Sequence, residues 1–362
     1  RRKSFEASGA CSRKTARPRR RTSPASHRIK ATQACKQPFA GLRCLTGIDI
    51  LSAMSTFRAY LQLVRIPAVF TALADIMLGF LLVRRGIDGA ERDLALLLTA
   101  SGCLYMAGMV FNDVFDRRQD AAQRPQRPLP SGKIAVRSAV IFGGCLITVG
   151  LAAAGLAHIN SLTVALILTV CILSYDSFLK RTPLGPVAMG GCRLLNVILG
   201  ASSAGLRWTA PWHFPQIWIA ASLGVYVAGV TWFARREAQQ SNPRALVGAA
   251  VVIDAGLAGL LLLAYDRFAL NLSWSGDPQA TFRSVALLGF IAVTINSRLI
   301  RAIINPSPAN VQAAVRLMLL SIITLDATMI FFKLGDAGVV YAGATAALLV
   351  PSMLLGRWVY TT

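Results

Sequence analysis

From Met54 onward, apolar residues come in runs of roughly 20, the length a helix needs to cross a bilayer core, and short polar stretches separate them. The pattern predicts spans near 57–83, 93–115, 136–157, 160–178, 186–206, 216–235, 244–265, 281–303, 310–333 and 337–358. Nine or ten transmembrane helices fit. The count turns on the last three, where Asn305-Pro306-Ser307-Pro308 interrupts a stretch able to hold a short re-entrant or interfacial helix. The predicted fold class is all-α, a polytopic membrane helix bundle forming one domain over 54–362, without a repeat of solenoid period.

Residues 1–53 break that pattern. They show no period of 3.6 or 2, and they hold thirteen Lys and Arg against Glu6 and Asp49. Such a segment cannot bury a core and is expected to be a disordered basic N-terminal stretch, either a transit peptide or an upstream read-through. If translated, it would allow organelle targeting. In a basic run such as Arg17 to Arg21 no aromatic residues are interleaved for base stacking, so nucleic acid is not an expected partner.

Composition then excludes a water-soluble multidomain protein: 54% of the 362 residues are hydrophobic, 15% are charged, and the mean hydropathy is +0.54. The excess of basic residues, a formal net charge of +22, gathers where spans two, four, six and eight end, as at Arg117-Arg118, Lys180-Arg181, Arg235-Arg236 and Arg298 to Arg301. The positive-inside rule puts those ends on the cytoplasmic, or stromal or matrix, face of an integral multi-pass protein. Cys103, Cys145, Cys171 and Cys192 stand singly in apolar runs, so neither a disulfide framework nor a zinc site is indicated.

The strongest departure from membrane composition is Asn112-Asp113-Val114-Phe115-Asp116-Arg117-Arg118-Gln119-Asp120, where span two ends. On a helix the spacings of three and four place Asn112, Asp113, Asp116 and Asp120 on one face. Like charges so close repel, and hard oxygens in this number suit Mg²⁺ held by one or two carboxylates together with phosphate oxygens. The competing reading is a solvated helix end whose acids pair with nearby arginines. The segment immediately C-terminal to the acids favours the metal: Arg124-Pro125-Gln126-Arg127-Pro128-Leu129-Pro130-Ser131-Gly132-Lys133 is a proline-stiffened basic loop able to carry phosphate-binding side chains back over them.

The NDxxDxxxD signature followed by RPLxxG resembles the UbiA superfamily of intramembrane prenyltransferases. The resemblance runs over 57–358 and implies a bundle of typically nine helices that moves a prenyl group from a Mg²⁺-bound prenyl diphosphate to a lipophilic, often aromatic acceptor. On its motifs, Asp113, Asp116 and Asp120 are the expected metal ligands, Asn112 orients the cluster, and Arg127 and Lys180 meet diphosphate oxygens. Tyr175, in Tyr175-Asp176-Ser177-Phe178-Leu179-Lys180-Arg181, matches the family's Tyr and Lys motif at a spacing one residue longer than the commonest form. Arg193 and Asn196 resemble polar residues lining the family's pocket, and Arg65 is a further candidate for substrate binding, or else an interfacial anchor. The second aspartate-rich motif is depleted. At the matching place stands Thr231-Trp232-Phe233-Ala234-Arg235-Arg236-Glu237, so Glu237 is the single carboxylate left for a second metal. That Arg-Glu variant is similar to an EboC-like branch of the superfamily.

Departure of an allylic diphosphate needs cations around the phosphates and a water-poor chamber for the carbocation left behind. Tyr105, Phe111, Phe115, Tyr175, Phe178, Tyr226 and Trp232 are candidate walls for it. Of the intramembrane acids, Asp75 is expected to touch the acceptor, and Asp254 and Asp326 to bond between helices. Two other functions stay open on sequence: a secondary transporter, which requires helices broken near mid-membrane, and a catalytically silent family member.

Overall fold

The computed structural model describes residues 56–203, 213–235, 242–269 and 277–360, and among these every regular element is helical. The expected basic segment 1–53 and Glu237 lie outside the described residues. In chain order the helices are α1 (56–63), α2 (Ile66–Val83), α3 (Glu91–Gln123), α4 (Val136–Ala157), α5 (Ile159–Ser177), α6 (Gly185–Ala201), α7 (Gln216–Ala234), α8 (Pro243–Ala269), α9 (Pro278–Ile304), α10 (Pro308–Leu334), α11 (Val339–Ala347) and α12 (Leu349–Tyr360). By length and composition eight stretches among the described residues can cross a membrane, the last being Pro308–Arg357; α6, with 17 residues, is apolar but shorter.

Helix boundaries follow local chemistry. Proline occupies the first turn of α2, α6, α9 and α10, where its missing N–H costs nothing. Asp277 caps α9 by accepting from the Gln279 amide at 2.8 Å, and Ser307 caps α10 by accepting from that of Asn310 at 3.4 Å. Three spans differ from expectation. The first is divided at residues 64–65, because Pro67 starts a new helix and Arg65 turns left-handed at φ 49°, ψ 50°. The second is much longer, because α3 continues for two turns past its apolar part. The last is divided into α11 and α12, following a turn at Gly335, whose φ of 63° suits a residue without Cβ.

Packing sorts the helices into an enclosed set, with α2 and α10 most covered, and a peripheral set, with α4 and α9 least covered. The peripheral faces are apolar: Leu156, Val170, Phe290 and Val293 are among many large hydrophobic side chains pointing outward, as lipid-facing surfaces require. Inside, α2 meets α6 at backbone distance. A Cβ on Gly79 would lie 2.0 Å from the Val197 carbonyl oxygen, and one on Gly200 would lie 2.6 Å from that of Ile76. Polar side chains then tie helices across the interior. Tyr226 of α7 donates to the Met318 carbonyl of α10 at 2.9 Å, and Asn296 of α9 donates to Asp254 of α8 at 2.9 Å.

Candidate active site

The acids of α3 do share one face, and basic side chains from three other segments converge on it. Asp113, buried, pairs with Arg65 Nη2 at 3.2 Å and with Arg127 Nη1 at 3.4 Å. The same Arg127 nitrogen lies 2.6 Å from Asp120 Oδ2, so one guanidinium bridges two carboxylates two turns apart on one face of α3. Lys180 Nζ lies 2.8 Å from Asp116 Oδ2 and donates to Asn112 Oδ1 at 3.0 Å, while the more exposed Arg181 reaches Asp116 Oδ1 at 3.4 Å. Asn112 in turn donates to Asp113 Oδ1 at 3.5 Å.

Each basic group is placed by a local device. Arg65 sits at the left-handed junction between α1 and α2, a conformation costing about 1–2 kcal/mol for a residue with Cβ, and it points into the cluster from there. Arg127 rides on the 124–135 loop, which buries Leu129 and Ile134 against Leu63, Val64 and Val110 and so is pinned to the bundle rather than left in solvent. Lys180 and Arg181 lie in the 3₁₀ turn Leu179–Arg181 that closes α5.

One turn earlier along α3 the wall opens into a cavity of about 570 Å³, counted with its mouth. Tyr105, Gly108 and Met109 of α3 line it, with Tyr175 and Asp176 of α5 near the cluster and Arg193 and Asn196 of α6 deeper in. Arg193 donates to the Thr71 carbonyl at 3.0 Å, to Thr71 Oγ1 at 3.2 Å and, in a very short contact, to Asp75 Oδ2. Asn196 donates to the same Asp75 oxygen at 2.8 Å and to the Ala72 carbonyl at 2.9 Å, and it accepts from Ser101 at 2.7 Å. Asp326 of α10, fully buried, is the electrostatic neighbour of Asp75 and Arg193 from behind.

The structure therefore brings Asn112, Asp113, Asp116, Asp120, Arg65, Arg127 and Lys180 into one cluster, and Tyr175, Arg193 and Asn196 into the adjoining cavity. Asp75 reaches that cavity as well, though its Oδ2 is held by Arg193 and Asn196. The aromatic wall is smaller than expected. Only Tyr105 and Tyr175 of the seven candidates line this cavity. Phe115, Phe178 and Trp232 face outward, Phe111 borders a smaller neighbouring void, and Tyr226 is buried against α10. Sequence reasoning also missed Asp176, which lies beside Tyr175 on the cavity wall.

A profile of the UbiA prenyltransferase family matches residues 68–301, the segment that carries the cavity and every residue of the cluster except Arg65. The chain belongs to the UbiA prenyltransferase family. It is 34% identical over 127 residues to a digeranylgeranylglyceryl phosphate synthase of Saccharolobus solfataricus, covering 35% of this chain and 45% of that one. A synthase of the same name from Methanopyrus kandleri is 34% identical over 159 residues, 42% of this chain and 56% of the relative. The chain thus spans about half the length of the curated relatives it matches. A solved UbiA homologue from Aeropyrum pernix shares the fold with a TM-score of 0.54 at 18% identity, over 69% of this chain and 94% of its own. Another, from Archaeoglobus fulgidus and bound to GPP and Mg²⁺, has a TM-score of 0.50 at 16% identity, over 80% of this chain and 99% of its own. With its apolar spans, this UbiA family member is an integral multi-pass membrane protein.

Whether the cluster fits a divalent ion can be judged from its own charges. Asp113, Asp116 and Asp120, together with the nearby Asp176, equal Arg65, Arg127, Lys180 and Arg181 in number, so the formal charges balance although none of the four bases is paired with Asp176. A bound diphosphate would add several negative charges to a balanced site and so calls for added cation. Among the described residues no three carboxylate, His or Cys groups are drawn together into a ready cage. That agrees with Mg²⁺ chemistry, in which one or two carboxylates share the ion with phosphate oxygens and water.

Proposed function

We propose that this protein is a Mg²⁺-dependent membrane prenyltransferase that moves a prenyl group from a prenyl diphosphate to a small lipophilic acceptor. One observation carries the reading: a cluster of acids and bases on the end of α3 adjoins an open-mouthed cavity inside an apolar bundle, so a charged headgroup and a hydrocarbon tail each find matching surroundings. In the proposed arrangement Asp113, Asp116 and Asp120 would hold Mg²⁺, one or two carboxylates to an ion with phosphate oxygens completing its shell, and the metal would supply charge neutralisation to the departing diphosphate. Lys180 and Arg127 donate to diphosphate oxygens, and Asn112 keeps Lys180 in place. Arg65 completes the ring of donors. Tyr175, Arg193 and Asn196 contact substrate on the cavity side. The cavity wall keeps water from the carbocation, which would otherwise be captured as an alcohol.

Membrane embedding suits the substrate, since each methylene kept from water is worth about 0.8 kcal/mol. The relatives' naming as digeranylgeranylglyceryl phosphate synthases supports an isoprenoid donor. Glu237 is proposed to assist a second metal, and the basic span ends place the site on the cytoplasmic, stromal or matrix face. A transporter is disfavoured because α2 to α10 each run unbroken and the acids of the cluster sit at one end of α3.

The test uses purified protein in lipid nanodiscs with labelled geranylgeranyl diphosphate and a membrane lipid extract. Pyrophosphate release and labelled lipid are expected with Mg²⁺ and not after chelation, and Asp116→Ala should abolish both while the protein stays folded. Absence of any Mg²⁺-dependent binding or turnover of the diphosphate would overturn the reading.

A further inference from the structure

Of the four carboxylates at the mouth of the cavity, Asp113, Asp116, Asp120 and Asp176, the ion pairs leave Asp176 over. It occupies the last turn of α5 and is 2% exposed. Asp113, Asp116 and Asp120 are each held by a basic side chain, whereas the Asp176 carboxylate makes no hydrogen bond or ion pair among the described residues. Its oxygens are not among the buried atoms sealed off without a partner, so the carboxylate faces the cavity, where a polar group of a bound molecule can meet it.

Its position gives it a use. Asp176 lines the cavity along with Tyr105, Met109, Arg193 and Asn196. One turn further on, Lys180 holds Asn112 and Asp116. The carboxylate therefore stands at the boundary between the diphosphate cluster and the space left for the second substrate. The nucleophile has to be at that boundary when the prenyl group moves.

We infer that Asp176 is the general base of the transfer and that the acceptor is a hydroxyl-bearing molecule whose O–H it receives. The inference rests on the prenyl-transfer function proposed for this site. The C1–oxygen bond of the prenyl diphosphate breaks and its electron pair leaves with pyrophosphate. A lone pair of the acceptor oxygen forms the new C–O bond to C1, and the O–H proton passes to an Asp176 carboxylate oxygen. The products are a prenyl ether, pyrophosphate and a proton that returns to water when the site empties, with no change of oxidation state. Without the carboxylate the alkylated oxygen would have to keep its proton in a chamber that excludes water.

The experiment compares wild type, Asp176→Asn and Asp176→Glu in nanodiscs, with labelled geranylgeranyl diphosphate and a total membrane lipid and metabolite extract as acceptor pool. Two readouts are taken: Mg²⁺-dependent binding of the diphosphate, and transfer of label with mass-spectrometric identification of the product bond. A positioned base contributes about 10²–10⁴-fold. Asp176→Asn is therefore expected to lose transfer by that factor while binding the diphosphate within about twofold of wild type, and Asp176→Glu to recover part of the rate. Diphosphate binding by the variants also reports that they are folded. Transfer by Asp176→Asn within about threefold of wild type overturns the inference. So does loss of diphosphate binding alongside transfer, which would assign the carboxylate to the metal and phosphate cluster, or a wild-type product joined through carbon instead of an ether oxygen. A wild type that neither binds nor transfers would instead remove the prenyltransferase reading on which the inference stands.

Discussion

Replacing Arg193 with Met should expose how much of this bundle's stability depends on one interior cation. Arg193 is 11% exposed and Asp75 is fully buried. The guanidinium makes two bonds to Thr71 besides the ion pair. Next to Asp75 lies Asp326, whose buried carboxyl group has no partner among the described residues other than Asp75 itself. Methionine matches the volume of the stem but leaves two neighbouring carboxyl groups, on α2 and α10, with no cation. Breaking a buried pair from one side costs about 3–5 kcal/mol, most of it the penalty for the stranded partner. At about 2 °C per kcal/mol for a chain of this size, thermal unfolding in detergent, followed by tryptophan fluorescence, should fall by roughly 6–10 °C. The double variant Asp75→Asn with Arg193→Met removes the stranded charge and keeps an amide for Asn196, so it should regain at least half of that loss. An Arg193→Met protein melting within about 2 °C of wild type, or a double variant no better than the single one, would refute the argument.

Two further perturbations address the cluster and the packing. Lys180→Met removes the donor to Asp116 and Asn112; with charge-assisted hydrogen bonds worth about 1.5–3 kcal/mol, affinity for geranylgeranyl diphosphate with Mg²⁺ should fall about 10–100-fold by equilibrium binding, and an unchanged affinity would take Lys180 out of the diphosphate site. Gly79→Ala would set a Cβ against the backbone of α6, where no side chain can move aside, so a loss at or above the roughly 1–3 kcal/mol of ordinary overpacking is expected in the same melting assay. Gly144→Ala, which meets nothing within 4 Å, is the matched control and should be neutral.

The contrast between what the chain announces and what it conceals has a physical basis in lipid. Apolar runs mark the hydrocarbon layer, so α4, α5 and α7 are found within a residue or two of where the runs place them. They do not mark where a helix ends, and α3 carries its helical bonds through Asp113, Asp116 and Asp120 well past the last apolar residue; the spacing of three and four between those acids was the only trace of it. The division of the first span did leave a signal, Pro67, whose ring disfavours a helical residue before it, and the resulting turn is what brings Arg65 to Asp113. The cavity left almost none. In a soluble protein the polar face of a helix identifies the opposite, buried face. In a membrane bundle both lipid and protein interior are apolar, so periodicity cannot tell Tyr105, which lines the cavity, from Phe115, which faces outward. For the same reason the most informative interior positions are polar ones, which lipid penalises wherever they are not enclosed. Asp75, the Arg193 and Asn196 pair, and Asp326 stand far apart in sequence and meet in one place, and Asp176, adjacent to a tyrosine already singled out, lacks an ion pair in a way that becomes visible only when Asp113, Asp116 and Asp120 have been given theirs.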